Sequence, residues 1–228
     1  MIKCVLFDLD GVLVDACEWH YQALNQALQE VAGISISREE HETTFNGLPS
    51  QTKLNILSEQ GRLNESDHEE VWKRKQDLTE GVIKSNAVVD SSKVDLHQAL
   101  KTMGIRVGCV TNSIRRTALL MLKCTGQRPL ESIPEWRWPW YGHDGKAEDN
   151  NLIHFVLTNE DVTNPKPNPE GYLSAITKFA VFPSETLIVE DSDKGFQAAT
   201  DSGAHVMRVK NATEVTLSAV LSHIESLE

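Results

Sequence analysis

Two aspartates stand one residue apart near the start of the sequence, in the stretch DLDGVLVD at residues 8–15. They are Asp8 and Asp10, and they follow the apolar run IKCVLF at residues 2–7, which predicts a buried strand. Two such charges at ~4 Å and an effective dielectric constant of ~20 repel each other by ~4 kcal/mol. A site that holds both aspartates therefore needs positive charge from another part of the chain.

Polar and charged residues also follow three later apolar runs. They are Thr111, Asn112 and Ser113 after the run at 105–110, Lys166 after the run at 153–157, and Glu190 and Asp191 at the end of the run that starts at 186. Continuous apolar runs of this length predict strands that are buried on both faces of a parallel sheet. Ligands of such sheets bind at the carboxyl ends of the strands. The sequence therefore predicts that all these residues meet in one site.

The residue types of this predicted site indicate phosphoryl transfer. Its four carboxylates need a divalent cation, and an oxygen ligand set without His or Cys favours Mg²⁺. The predicted metal residues are Asp8, Asp10, Glu190 and Asp191. A metal-shielded aspartate can attack phosphorus, while Thr111 and Lys166 hold phosphoryl oxygens. Catalysis would then depend mainly on positioning and on charge stabilisation.

Helical patterns alternate with the predicted strands. They cover residues 17–32, about 50–60, 65–84, 93–103, 115–124, 169–180 and 193–202, and a fifth strand is predicted at 205–209. Asn168 is the predicted N-cap of the helix at 169–180, and Gly203 the predicted C-cap of the helix at 193–202. The fold class is therefore α/β, a doubly wound parallel sheet with a Rossmann-like core at 1–15 and 88–228 and an inserted α-helical cap at 16–87.

A long segment at 127–150 breaks this alternation. It contains Trp136, Trp138 and Trp140 together with three prolines, and loops of this length are uncommon without a role. We expect it at the amino ends of the strands, opposite the catalytic motifs, where it either folds back on the core or contacts a second subunit, as in a homo-oligomer, or another protein.

The composition limits the partners of the chain. A net charge of −11 argues against nucleic acid and against an anionic membrane surface, because both bind basic footprints. The first apolar run is broken at Asp8, so no signal peptide is predicted, and no run approaches the ~20 apolar residues of a membrane span. The four cysteines form no CxxC pair, which favours a reduced, cytoplasmic setting.

The motifs DLDGVLVD, VTNS, PKPNPEGY and IVEDSDKG resemble, in order, the four motifs of the haloacid dehalogenase superfamily. The resemblance implies that Asp8 is a nucleophile that forms an aspartyl-phosphate. It implies that Asp10 is the general acid and then the base, and that its backbone carbonyl binds Mg²⁺. Asp191 would bind the metal directly, and Glu190 through water. Because the dehalogenase members lack the second aspartate, Asp10 favours phosphate chemistry over cleavage of a carbon–halogen bond.

The predicted cap resembles the C1-type cap of the branch that contains phosphoglycolate phosphatases and beta-phosphoglucomutases. The candidate substrate-binding residues are Asn112, Ser113, His20, Gly47, Ser50 and Lys75. His20 and Lys75 match residues of the mutases, whereas Ser50 stands where the mutases carry an arginine that binds a second phosphate, and Lys53 lies a turn further along. Losing the guanidinium favours a phosphatase that acts on a small phosphorylated metabolite over a mutase.

A receiver-like phospho-switch without turnover is a third alternative, since receivers also combine aspartate, an acidic pair, Thr or Ser, and Lys. The motif order argues against it, because the aspartate pair here follows the first strand and includes an acid/base residue that receivers lack. Three residues near the motifs are interpreted as structural: Cys17, because the spacing indicates no partner histidine, and Ser192 and Asp193, as the beginning of a helix.

Overall fold

Five parallel strands form one sheet in the order β3-β2-β1-β4-β5 in the structure, a computed structural model that describes residues 1–129 and 151–227. The strands are Cys4–Phe7 (β1), Arg106–Val110 (β2), Phe155–Leu157 (β3), Thr186–Glu190 (β4) and His205–Arg208 (β5). Each predicted strand is present, and each is at most two residues shorter than its apolar run. The predicted doubly wound parallel sheet is confirmed.

Nine α-helices accompany the sheet in the described part of the chain. They are Cys17–Ala32 (α1), Arg38–Glu40 (α2), Ser50–Glu59 (α3), His68–Asn86 (α4), Ser91–Thr102 (α5), Arg115–Cys124 (α6), Glu170–Phe179 (α7), Asp193–Asp201 (α8) and Leu217–Glu225 (α9). The seven predicted helices are present with their ends displaced by three residues at most, which is the usual uncertainty of helix ends. The helices α2 and α9 were not predicted.

The cap predictions for two helices can be compared with the structure. Asn168 is not the N-cap of α7, because that helix begins at Glu170 and Pro169 precedes it. Instead, Asn168 Oδ1 accepts a hydrogen bond from the Glu170 amide at 3.0 Å and forms a turn before the helix. The C-cap of α8 is Ser202 rather than the predicted Gly203. Gly203 is the next residue, with a φ of 75°, a conformation that glycine adopts without steric cost.

Both faces of the sheet are covered by helices, which explains why the strands are apolar throughout. Side chains that alternate along β1 point to opposite faces: Val5 and Phe7 belong to one apolar cluster and Cys4 and Leu6 to another. The first cluster includes residues of α5, α6 and α9, and the second includes residues of α7 and α8. The sheet and its helices therefore form a three-layer α/β unit.

The insert between β1 and α5 has an apolar cluster of its own. Its buried members are Leu24, Ala27, Leu28, Ile36, Phe45, Leu54, Leu57, Leu63 and Val71. Near the end of α4, Ile83 instead packs in the sheet cluster, so this helix contributes to both. The predicted α-helical insert is present, while its bounds at 16–87 stay a prediction.

The tryptophan-rich segment cannot be compared with its prediction, because residues 130–150, with Trp136, Trp138 and Trp140, lie outside the described residues. The described residues on the two sides of this segment pair with each other, because Pro129 forms a parallel bridge with Ile153 just before β3. The described ends of the segment thus lie at the amino end of a strand. Among the described residues, no helix is both long enough and apolar enough to cross a membrane.

Candidate active site

The carboxyl ends of β1 and β4 bring three carboxylates together. Phe7 pairs with Val189 in the register of these neighbouring strands, and the Asp8 amide donates to the Val189 carbonyl at 3.0 Å. Carboxylate oxygens of Asp8, Glu190 and Asp191 all lie within 4.8 Å of one another. The parallel sheet therefore creates the acidic cluster that the strand-end motifs predict.

Lys166 supplies the positive charge that this cluster needs. Its Nζ donates to Asp8 Oδ1 and Glu190 Oε1, each at 2.6 Å, and to the Val110 carbonyl at 2.7 Å. Burial alone would lower the pKa of Lys166, but the carboxylates of Asp8 and Glu190 raise it above its ordinary value. The lysine is therefore held as a cation in the centre of the acidic cluster.

Asn112 positions the loop that carries Lys166. Its Oδ1 accepts from the Lys166 amide at 3.0 Å, and its Nδ2 donates to the Lys166 carbonyl at 3.1 Å and to the Gly47 carbonyl at 3.0 Å. These contacts use the side-chain amide on backbone groups of the core and of the insert. Although Asn112 lines the cavity, we interpret it as a positioning residue that joins Lys166 to the turn at Gly47.

Tyr172 is another partner of the Glu190 carboxylate, and the sequence analysis did not predict it as a site residue. Its hydroxyl donates to Glu190 Oε1 at 2.5 Å, and Lys166 Nζ lies 4.8 Å from the centre of its ring. The apolar stripe of α7, with Tyr172 at its start and Phe179 at its end, could have indicated a buried tyrosine. The hydroxyl of a buried tyrosine needs an acceptor.

One oxygen of the acidic cluster has no protein partner. Asp191 Oδ1 is buried and makes no hydrogen bond within the described residues. Burial and the neighbouring carboxylates of Glu190 and Asp10 raise the pKa of Asp191 to about 7. A Cβ atom at residue 11 would overlap the Asp191 carboxylate, so Gly11, with a φ of 84°, leaves room for it. The orphaned oxygen and the all-oxygen donor set fit a hard divalent cation such as Mg²⁺.

The carboxylate of Asp10 does not belong to this cluster, although the sequence predicts four acids together. Its Oδ1 lies 2.8 Å from His20 Nε2, and its Oδ2 accepts from Ser113 Oγ at 2.7 Å and from Thr111 Oγ1 at 3.4 Å. Burial alone would raise the pKa of Asp10, but the contacts with His20 and Ser113 lower it to about 2. The two aspartates of the motif therefore face different partners.

His20 connects Asp10 to the cap. Burial lowers the pKa of His20, which favours the neutral ring. The ammonium of Lys75 lies 3.4 Å from Nδ1 of this ring. Since an ammonium can only donate, Nδ1 accepts and Nε2 carries the proton that is donated to Asp10. A chain of contacts thus runs from Lys75 on α4 through His20 on α1 to the aspartate.

A cavity of about 120 Å³ separates the core residues from the insert. The predicted site residues that line it are Asp8, Asp10, His20, Gly47, Ser50, Lys75, Thr111, Asn112, Ser113, Lys166 and Asp191. Glu190, which is fully buried, does not line the cavity and lies behind Lys166. Lys53 and Trp72 line it as well and were not among the predicted site residues.

Lys53, which lies a turn beyond Ser50, is not predicted as a site residue from the sequence. In the structure α3 begins at Ser50, and residues three apart lie on the same face of a helix. Lys53 is therefore turned towards the cavity beside Ser50, and it is 8% exposed. This part of the cap therefore contains a cation beside Ser50.

Comparison with known proteins identifies the family. A family model described as haloacid dehalogenase-like hydrolase matches residues 2–203. A phosphoglycolate phosphatase from Nitrosospira multiformis is 25% identical over 213 residues, which cover 91% of this chain and 83% of that protein. A pyrophosphatase, PpaX, from Bacillus pumilus is 28% identical over 199 residues, which cover 84% of this chain and 75% of that protein.

The fold is shared with a solved beta-phosphoglucomutase from Clostridium difficile. The TM-score is 0.76 at 19% sequence identity, and the match covers 99% of this chain and 98% of the other. At this level of identity the likeness establishes the fold. It extends over the sheet and the helical insert together.

Proposed function

Because the chain belongs to the haloacid dehalogenase-like hydrolase family, we propose that it is a Mg²⁺-dependent phosphatase that acts on a small phosphorylated metabolite. The observation that carries this proposal is the separation of the two motif aspartates. Asp8 lies with Lys166 in the acidic cluster, whereas Asp10 is bonded to His20 and Ser113. Two carboxylates in different environments are suited to two different roles in one reaction.

In the first step Asp8 attacks phosphorus, and the bond from phosphorus to the leaving oxygen breaks. Lys166 and Thr111 hold phosphoryl oxygens, and Asp10 gives a proton to the leaving oxygen. In the second step water attacks the aspartyl-phosphate while Asp10 takes its proton. Phosphate is released, and the carboxylate of Asp8 and the proton on Asp10 are restored.

Asp10 must be protonated before it can act as an acid. In the structure this carboxylate accepts hydrogen bonds, and the contacts with His20 and Ser113 hold its pKa at about 2. A phosphoryl dianion next to this carboxylate raises its pKa by repulsion between like charges. Substrate binding therefore favours uptake of the proton that Asp10 later donates.

The acidic cluster would hold the metal through Asp8 and Asp191, with Glu190 behind them. A bound Mg²⁺ supplies positive charge that stabilises the phosphoryl oxygens in the transition state. The homologues that are named as phosphatases support a phosphorylated small molecule as the substrate. All four cysteines are free thiols, which supports a cytoplasmic setting.

The proposal is tested by measuring phosphate release from a panel of phosphorylated metabolites. Asp8→Asn should reduce turnover by at least ~10³-fold, because the amide is not a nucleophile. The control is Asp15→Asn, which changes an exposed aspartate of the same segment and should leave turnover unchanged. Chelation with EDTA should abolish activity, and Mg²⁺ should restore it. Unchanged turnover in Asp8→Asn would refute the mechanism.

A mutase remains the second candidate, because Lys53 brings a cation into the cap where the mutases bind a second phosphate. Ser50 still lacks the two-pronged geometry of an arginine, so we rank the phosphatase first. The decisive measurement compares the conversion of beta-glucose 1-phosphate to glucose 6-phosphate with the release of phosphate. A faster conversion than release would reverse this ranking.

A further inference from the structure

Several buried polar atoms around the cavity have no hydrogen-bond partner among the described residues. They are His41 Nδ1, Gln76 Oε1, Asn159 Oδ1 and Asp191 Oδ1, and all four residues line the cavity. One further atom of this kind, His97 Nδ1, belongs to a residue that does not line it. Burying a polar atom without a partner is costly, so most such atoms in proteins are paired. Their concentration around one cavity indicates a ligand with polar groups.

Asn159 lies on the core side of the cavity, next to Ser113. Its backbone amide donates to the Ser113 carbonyl at 3.4 Å, and the Ser113 hydroxyl donates to Asp10 Oδ2 at 2.7 Å. Under the proposed mechanism, Asp10 gives a proton to the leaving oxygen. The Asn159 side chain is therefore on the side of the cavity where the leaving group binds.

Asn159 is the first residue of a three-residue 3₁₀ turn after β3, and the other two side chains hold this turn in place. Glu160 Oε2 accepts from the Arg115 amide at the beginning of α6, at 2.5 Å. Asp161 Oδ2 accepts from the Thr158 amide at 2.7 Å, and the same carboxylate pairs with Arg115. The turn is therefore held by contacts of its own, and the Asn159 amide is positioned for a ligand before that ligand binds.

We propose that Asn159 is a specificity-determining residue, which selects substrates with an uncharged hydroxyl on the leaving group. A hydroxyl can donate to Oδ1 and can also accept from Nδ2, so it matches both ends of the side-chain amide. A methyl group in its place would leave Oδ1 unpaired. An ammonium could also donate, but the buried lysines that line the same cavity, Lys53 and Lys75, would repel it. This inference rests on the proposed phosphatase function and adds to it a contact that distinguishes substrates.

The test compares pairs of phosphate esters that differ in one group. Each pair consists of an ω-hydroxyalkyl phosphate and the alkyl phosphate in which a methyl group replaces the hydroxyl. Chains of two, three and four carbons vary the distance between the phosphate and the hydroxyl. For at least one length, the hydroxylated ester should exceed its partner in kcat/KM by about 5-fold or more, the size of one uncharged hydrogen bond. The aminoalkyl phosphate of that length should be a poorer substrate than the hydroxyalkyl phosphate.

Variants of the asparagine then assign the preference. Asn159→Ala and Asn159→Leu, of which the second keeps the side-chain volume, should each reduce the ratio of the two kcat/KM values by about 5-fold. Asn159→Leu should not lower the free energy of unfolding in urea, because Oδ1 has no partner among the described residues. Asn164→Ala is the matched control, since Asn164 follows the same strand but is exposed and donates to Glu170 at 2.8 Å. It should leave the ratio unchanged.

Three outcomes would overturn the inference. The two esters could have equal kcat/KM values at every length, the aminoalkyl phosphate could be the best substrate, or the ratio could stay the same in both Asn159 variants. Phosphate release from these esters would still support the phosphatase function in each case. If the wild-type enzyme released phosphate from neither the esters nor the panel of metabolites, the proposed function would be refuted, and this inference with it.

Discussion

The two sides of the cavity differ in how their charges are balanced. On the core side, Lys166 is surrounded by Asp8, Glu190 and the Val110 carbonyl, and every contact is 2.7 Å or shorter. On the cap side, Lys53 and Lys75 face the cavity without a carboxylate partner among the described residues. The core side is assembled before the substrate arrives, whereas the cap side holds two buried lysines without a carboxylate counter-charge.

This difference indicates where the free energy of binding is used. A preorganised core lowers the barrier for phosphoryl transfer, because its charges need no rearrangement during the reaction. Buried cations without a carboxylate partner in the cap cost stability, because removing an ammonium from water is unfavourable. The same residue type therefore stabilises the fold on one side of the cavity and destabilises it on the other.

The largest effect is expected when the balanced core side is broken. Lys166→Met leaves Asp8 and Glu190 buried without their cation, which should lower the free energy of unfolding by about 3–5 kcal/mol and abolish turnover. Urea denaturation measures the first effect, and Lys123→Met at an exposed position is the control. A loss of stability below about 1 kcal/mol would contradict the view of the core side as a charge-balanced unit.

A smaller loss is expected from Tyr172→Phe, which removes only the hydroxyl that donates to Glu190. The buried carboxylate loses one of its donors, so the free energy of unfolding should fall by about 1–3 kcal/mol while the protein stays folded. Because Glu190 then binds Lys166 more strongly, phosphate release should also slow. Tyr21→Phe is the control, since the Tyr21 hydroxyl bonds a backbone carbonyl at 3.3 Å away from the site. Equal stabilities of Tyr172→Phe and wild type would refute this role for the hydroxyl.

The core side could be predicted from the sequence far better than the cap side. Strand ends of a parallel sheet must meet, so the proximity of Asp8 and Asp191 follows from the apolar runs alone, while Lys166 lies in the loop that follows the run at 153–157. Lys53 depends on the residue at which α3 begins, because a shift of one residue turns a helical side chain by about 100°. Tyr172 was not predicted as a site residue, because a tyrosine in the apolar stripe of a helix is usually interpreted as part of the hydrophobic core. The partners of buried polar groups depend on tertiary packing, and the periodicity of a sequence carries no information about that packing.

On the cap side, the effect of removing a charge should have the opposite sign. Lys53→Met should raise the free energy of unfolding at pH 7, because an unpaired buried ammonium is lost. The pKa of Lys53 is lowered from 10.5 to about 8, so its contribution to stability is full above the unfolded pKa and is lost as the pH falls through about 8.

Wild-type stability should therefore rise with pH through the action of this group. Between pH 7 and pH 9 the Lys53 contribution amounts to about 1 kcal/mol, and it should be missing in Lys53→Met. The measurement is the difference in free energy of unfolding between the two proteins at each pH. A difference that does not change with pH would show that Lys53 is not held in an unfavourable environment.

The smallest effect is expected at the periphery, where core and cap are joined by exposed charges. Arg116 on α6 pairs with Glu80 and, at 3.6 Å, with Asp77 on α4, and its side chain is more than half exposed. Exposed pairs of this kind contribute little, because water and salt screen them. Arg116→Ala should therefore change the free energy of unfolding by less than about 0.5 kcal/mol and leave phosphate release unaffected. Asn112→Ala, which removes the half-buried contact with Gly47, is the comparison variant and should have the larger effect on both. If Arg116→Ala slowed turnover as much as Asn112→Ala, the junction of core and cap would depend on surface charge rather than on the half-buried amide.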